Sequence, residues 1–353
     1  MPGPPSSPRL SGLEELALVS RTRAPRIALV LLALVSSCSE PVGSGSEPAQ
    51  EEPLPVEPPD VVPPPLPEEP VPPDKPKDPV DSGTPATEEL DDFGTRNLYP
   101  TAPQGRRWAA RWNEHPRTLK VAQQDPYDPE FQLRGVEHTL EILGDGTARS
   151  SGEMIRFYIG TPDKRWLNTE LTVYAMRVSE RSSAAASAGF EFQTRTRDGH
   201  HEGSKRNAEG LDQRCDGHAY SSSLRFDGRA VLQKELKHPT YTSQVTKLLW
   251  EGHPLPRYTW VGIKVITYNL PRGRVKQELW LDLTDGKDGG TWRKVHEHLD
   301  AGGWSISPEV AATCRISPDQ RLTEPEPLII LRGHGIREQW LKKATIREIQ
   351  PPR

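Results

Sequence analysis

After Arg96 the chain is a succession of short segments in which apolar and polar positions alternate, each stopped by turn-forming residues. Alternation with a period of two predicts strands at 136–143, 154–159, 167–178, 188–196, 218–226, 230–236, 260–269, 275–282, 292–299, 328–332 and 341–349. Asp227-Gly228 between two of these segments is a short hairpin signal, and Leu270-Pro271-Arg272-Gly273-Arg274 makes a longer one. No stretch of comparable length keeps a helical period, and the phosphate-loop, dinucleotide and zinc-finger patterns are absent. Ten or more strands in one domain predict an all-β fold, an antiparallel β-sandwich or jelly roll.

Before Arg96 the alternation is missing. Sixteen of the 37 prolines lie between Pro41 and Pro85, and none of the nine tryptophans precedes Trp108. Residues 40–95 carry 15 acidic and 2 basic side chains, whereas 96–353 carry 39 basic and 32 acidic. A proline-rich, self-repelling acidic segment favours extended polyproline geometry and buries nothing, so 38–95 is expected to be a disordered Pro/Glu-rich linker and 96–353 the folded domain. A surplus of seven positive charges over 258 residues suits an anionic partner but is far from the dense basic stripe of a nucleic-acid binder.

The first 37 residues have a different logic. Arg21, Arg23 and Arg26 precede the unbroken apolar run 27–35, too short to span a bilayer as a helix and of the right length for the core of a signal peptide. Val35-Ser36-Ser37-Cys38 resembles a bacterial lipobox, which implies cleavage before Cys38, lipidation of its thiol and attachment to a membrane. By resemblance to Gram-negative lipoproteins, Ser39 in place of Asp favours the outer membrane. The competing reading is a soluble secreted protein, for which no Ala-x-Ala cleavage site follows the apolar run. With Cys38 set aside, Cys215 and Cys314 form an even pair in an oxidising compartment, either a disulfide or two buried thiols.

Alternation also says which side chains share a face. Val261, Ile263 and Val265 point one way, and Lys264 and Tyr268 the other; on the next segment Val275, Leu279 and Leu281 oppose Glu278 and Trp280. Lys264, Tyr268, Glu278 and Trp280 therefore form a candidate ligand-binding face, because rings stack on pyranoses while polar groups meet hydroxyls and carboxylates. The competing reading is an ordinary polar sheet face with Trp280 under a loop. A second cluster gathers His218, Tyr220, Lys234 and Glu235 on the hairpin about Asp227-Gly228. A two-residue turn there sets Tyr220 near Glu235, and a Tyr or His base is what proton abstraction from a uronate ring requires. Adjacent His200 and His201 sit in a loop where neighbouring side chains diverge, so no metal site is assigned; calcium through Asp198 and Glu202 stays open.

Leu224 to Arg229, Gln233 to His238, Trp260 to Lys264, Lys276 to Asp282, Trp292 to Val295 and Ile346 to Ile349 together resemble the concanavalin A-like lectin/glucanase superfamily, particularly its jelly-roll relatives of polysaccharide lyases. The resemblance spans about 152–349 and implies a concanavalin A-like sandwich. It implies, first, a cell-surface carbohydrate-binding protein on a stalk, needing no cofactor; second, a lyase cleaving a uronate polymer by β-elimination; third, a structural or adhesive envelope protein. The alternating acids of the glucanases are missing, which makes glycoside hydrolysis the weakest reading, and the Arg-x-Glu-x-Arg and Tyr-x-Lys-x-Gly-x-Tyr strands of alginate-lyase type are missing too, which sets binding ahead of lyase activity.

Overall fold

The computed structural model describes residues 89–181, 188–197, 205–250 and 253–352. The expected signal peptide, Cys38, the expected linker up to residue 88, and Asp198, His200, His201 and Glu202 lie outside them. In chain order the strands are β1 (Arg107–Ala109), β2 (Arg117–Lys120), β3 (Phe131–Ile142), β4 (Thr147–Ile159), β5 (Thr169–Glu180) and β6 (Gly189–Thr196). There follow β7 (Ala219–Arg225), β8 (Arg229–Lys237), β9 (Thr240–Tyr241), β10 (Val245–Leu248), β11 (Trp260–Leu270) and β12 (Arg274–Asp282). The last are β13 (Arg293–Asp300), the single-turn helix α1 (Pro308–Thr313), β14 (Leu328–His334) and β15 (Ile336–Glu348).

All ladders between these strands are antiparallel, in the order β10-β8-β7-β6-β14-β4-β15-β5-β11-β12-β13, with β3 beside β4. The protein is an antiparallel β-sandwich. Its two halves, β10 to β4 and β15 to β13, face one another across one core in which Phe190, Phe192, Leu331 and Phe157 meet Val173, Ile263, Val265 and Leu279. Thr194 Oγ1 donates across that gap to Thr267 Oγ1 at 3.1 Å. The aromatic and aliphatic residues that the alternation puts on one face of each strand fill this core, the main stabilising term for a sandwich, while in β6, β7, β8 and β11 the residues of the other face are buried as well.

Two departures from the expected pattern matter for function. First, the hairpin about Asp227-Gly228 is closed by three residues, not two: Leu224 pairs with Ala230, Phe226 is buried in the core, and Gly228 takes a left-handed φ of 86°. Closure by three residues with glycine in that conformation shifts the register by one, so Tyr220 lies opposite Lys234 and Ala219 opposite Glu235. Second, residues 89–95, ahead of Arg96, are packed on the domain. Residues 89–101 run over the outer face of β5, β11, β12 and β15 as a strap. Leu98 and Tyr99 pack on Ile266, Tyr268 and Ile349, Leu98 N–H donates to the Glu170 carboxylate at 3.2 Å, and Arg347 donates to Tyr99 O at 2.6 Å.

A disulfide joins Cys215, in a 3-10 turn before β7, to Cys314 at the end of α1. It fastens the excursion between β13 and β14 to the end of the sandwich.

Candidate functional site

Lys264, Tyr268, Glu278 and Trp280 do share one face: Lys264 lies opposite Trp280 and Ile266 opposite Glu278. That face is roofed by the strap, and its polar groups are consumed internally. Lys264 is 0% exposed and donates to Glu170 Oε1 at 2.8 Å and Thr172 Oγ1 at 2.7 Å. Glu278 accepts from Tyr99 OH at 2.9 Å, Tyr268 OH at 3.1 Å and Trp280 Nε1 at 2.9 Å. Burial, with the Glu278 carboxylate beside it, pushes the Tyr268 hydroxyl up to about 12. The geometry makes this a buried hydrogen-bond network holding the strap down, not a surface open to a sugar.

The hairpin cluster divides among three environments. Tyr220 and Lys234 point between the sheets, where both donate to Asp300 Oδ2, at 2.7 and 2.8 Å, and neither reaches solvent. His218 lies at the end of the sandwich, its Nδ1 3.1 Å from Cys215 O and its Nε2 3.2 Å from Glu326 Oε1. Glu235 faces the opposite way, outward, in contact with His238 Nδ1 at 2.7 Å. The four do not form one catalytic constellation, because a one-residue change of register sends adjacent side chains to opposite faces.

Glu235 leads to a group of residues that the alternation placed correctly but that only the topology assembles. The outer face of β3, β4, β14, β6, β7 and β8 carries, in one cross-strand row, Arg134, Arg156, Arg332, Glu191 and Ser223. The next row carries Gln132, Tyr158, Ile330, Gln193, Ser221 and Gln233. His334 and Arg225 flank the first row through Gly189, and Tyr241 lies opposite Glu235. Core aromatics between these polar positions explain the placement: Phe190 and Phe192 anchor Glu191 and Gln193 outward, and Ile329 and Leu331 do the same for Arg332.

The face is sheltered without being sealed. Arg156 is 6% exposed and Gln233 6%, while Arg332, His334 and Tyr241 are half-buried. Glu191 accepts from Ser221 Oγ at 2.8 Å and Arg332 Nη1 at 3.4 Å, and Gln193 donates to Glu235 Oε2 at 3.2 Å. Gln233 Oε1, Arg225 Nε and Arg332 Nε are buried with no hydrogen-bond partner among the described residues. Burial pushes the Glu235 carboxyl and the Tyr241 hydroxyl up, Glu191 adding to the latter. Burial, then the Arg332 charge, pushes His334 down, so at neutral pH its imidazole is uncharged. Arg156 is lowered by burial and by its neighbour Arg332. Arg332 itself is raised because Glu191 and Tyr241 outweigh its burial. Among the described residues no group of three or more His, Cys, Asp and Glu is close enough to hold a metal ion.

No protein-family model matches the chain, and neither does any curated protein sequence. Solved structures of similar fold include a Bacillus subtilis protein of unknown function with a galectin-like fold, 11% identical, with a TM-score of 0.37 and covering 65% of this chain and 94% of that one. The exoplasmic/lumenal domain of VIP36, in a form carrying Ca2+ and Man3GlcNAc, is 12% identical with a TM-score of 0.36, covering 69% and 91%. An alginate lyase is 12% identical with a TM-score of 0.31, covering 61% and 85%.

Proposed function

We propose that the protein is a glycan-binding domain whose ligand lies across the outer face of β4, β14, β6, β7 and β8, and that the ligand is an anionic polysaccharide. The observation that carries this reading is the register that sets Arg134, Arg156 and Arg332 side by side on three adjacent strands. Strands are about 4.8 Å apart, and like charges directly opposite one another destabilise a sheet. Only one carboxylate, Glu191, stands in that row. An anion bridging the guanidinium groups relieves the repulsion and gains charge-assisted, bidentate hydrogen bonds. Around it, the half-buried Tyr241 offers a ring face to pyranose carbons, and the Gln233 amide, whose Oε1 has no partner among the described residues, offers one for hydroxyls.

Calorimetry with an oligouronate and a neutral oligosaccharide of the same length tests the reading. The oligouronate should bind at least about tenfold more tightly, with an affinity that falls as salt is raised. Equal affinity, or none for either, would overturn it.

A second reading is favoured by one observation, the His334 imidazole on the same sheet face as the Arg156 and Arg332 guanidinium groups. In β-elimination from a uronate, Arg156 and Arg332 would neutralise the carboxylate, His334 would take the adjacent ring proton, and the Tyr241 hydroxyl, held protonated, would donate to the leaving oxygen. Absorbance near 235 nm on incubation with polyuronates distinguishes turnover from binding. The export reading completes the proposal: the face would be presented from a Cys38-linked anchor on a stalk, and unchanged membrane partition of Cys38→Ala would remove that part.

A further inference from the structure

We propose that the cleft at the Cys215–Cys314 end of the sandwich is a second binding site, separate from the outer face, for a small amphipathic anion: an apolar body of aliphatic or aromatic carbon carrying one carboxylate or sulfonate. The cleft has a volume of about 520 Å³, within the range of small-molecule sites. Its apolar lining is Leu211, Leu236, Ile316, Leu322 and the disulfide.

The polar lining is unevenly satisfied. At the base, Glu326 accepts from Arg197 Nε at 3.1 Å and Arg165 Nη1 at 3.1 Å and meets His218 Nε2 at 3.2 Å. Asp216 accepts from Asn207 Nδ2 at 3.0 Å, and Glu209 pairs with Arg197 at 3.4 Å. Those carboxylates are occupied by internal donors. The donors left over are on the rim. Arg315, exposed and in a left-handed backbone conformation with φ of 56°, donates its backbone N–H to Ala312 O, but its guanidinium has no hydrogen bond or ion pair among the described residues. The Arg321 guanidinium has a single long bond, 3.4 Å to Arg272 O. Against them stand two exposed rim carboxylates, Glu324, whose partner is its neighbour Thr323, and Glu209, which Arg197 already pairs. A cleft with an apolar floor, an occupied acidic base and two spare guanidinium groups presents donors and hydrophobic area to a ligand, and the complement of that inventory is an amphipathic anion.

The probe is anilinonaphthalenesulfonate, titrated by fluorescence against the full chain, with sodium octanoate as competitor. The folded protein should bind the dye at one site, and octanoate should displace it. Arg315→Ala with Arg321→Ala should weaken binding about tenfold or more with an unchanged thermal midpoint, since both side chains lie at the surface. Glu324→Gln should strengthen it, the sign expected when a repelling charge is removed. Failure of the folded protein to bind the dye, or the same affinity in the double arginine variant, would overturn the proposal. Oligosaccharide binding by the double variant should equal that of the wild type, which separates this site from the outer face.

Discussion

Replacing Lys264 by methionine separates a structural role from a ligand-binding one. Met keeps the volume and removes the charge. Glu170 then loses the 2.8 Å bond from Lys264 but keeps Arg347 at 2.6 Å and the Leu98 N–H at 3.2 Å, so its negative charge stays compensated. The loss of one charge-assisted hydrogen bond costs roughly 1.5–3 kcal/mol, while the relief of a desolvated ammonium offsets part of it, so we expect about 2 kcal/mol of destabilisation. Glu170→Ala should cost more, about 4 kcal/mol, because it leaves Lys264 and Arg347 buried together without an anion. Urea unfolding followed by tryptophan fluorescence measures both, and oligouronate affinity should stay at the wild-type value in Lys264→Met. If Lys264→Met instead unfolds at the wild-type midpoint and loses sugar binding, the strap does not close that face and the reasoning fails.

Other expectations follow from neighbouring observations. Trp280→Ala truncates a partly buried ring that packs, as Leu98 and Tyr99 do, on the cluster of Ile266, Tyr268 and Ile349, so its unfolding free energy should fall by about 2 kcal/mol with no effect on sugar affinity; a reversed pattern would restore the covered face as the binding surface. Burial raises the Glu326 carboxyl, but His218 and Arg197 outweigh it and the net shift is downward. A lowered acid contributes stability above its unfolded value of about 4.3, and that contribution is lost as pH falls through the folded value. Glu326→Gln should accordingly be less stable than wild type at neutral pH, with the difference shrinking in thermal melts below about pH 4; a constant difference would contradict the assignment. Replacing both Cys215 and Cys314 by serine removes a cross-link spanning 99 positions of sequence. It should lower stability by about 3–5 kcal/mol in non-reducing denaturation; less than about 1 kcal/mol would show that the excursion holds without it.

How far the sequence carried can be judged at particular strands. β6 and β14 read directly, because Phe190 and Phe192 alternate with Glu191 and Gln193, and Ile329 and Leu331 with Ile330 and Arg332. Period-two patterning tells which side chains share a face and is silent about what lies on top of it. In β11 both faces are buried, and the charge of Lys264, which looked solvated, is paired with Glu170, 94 positions earlier in the chain. Nothing local to either residue signals that pairing. The strap was invisible for a related reason: 89–95 share the acidic composition of the linker, and their packing depends on distant residues such as Thr345, which donates to Asp91. The outer-face row escaped notice because Arg134, Arg156, Glu191 and Arg332 come from four separate segments, brought together by antiparallel topology alone. Closure of the hairpin by three residues in place of two disperses the hairpin cluster, since a one-residue shift of register turns faces over.

The central claim is that sugar binds the outer face through Arg156 and Arg332. Its most direct test is oligouronate affinity measured by calorimetry on Arg156→Gln with Arg332→Gln, alongside Gln233→Ala as a milder change on the same face. The double variant should bind at least about a hundredfold more weakly, and Gln233→Ala about fivefold to tenfold, with circular dichroism still that of an antiparallel β protein. Wild-type affinity in a folded double variant would contradict the account and move the glycan site off this sheet.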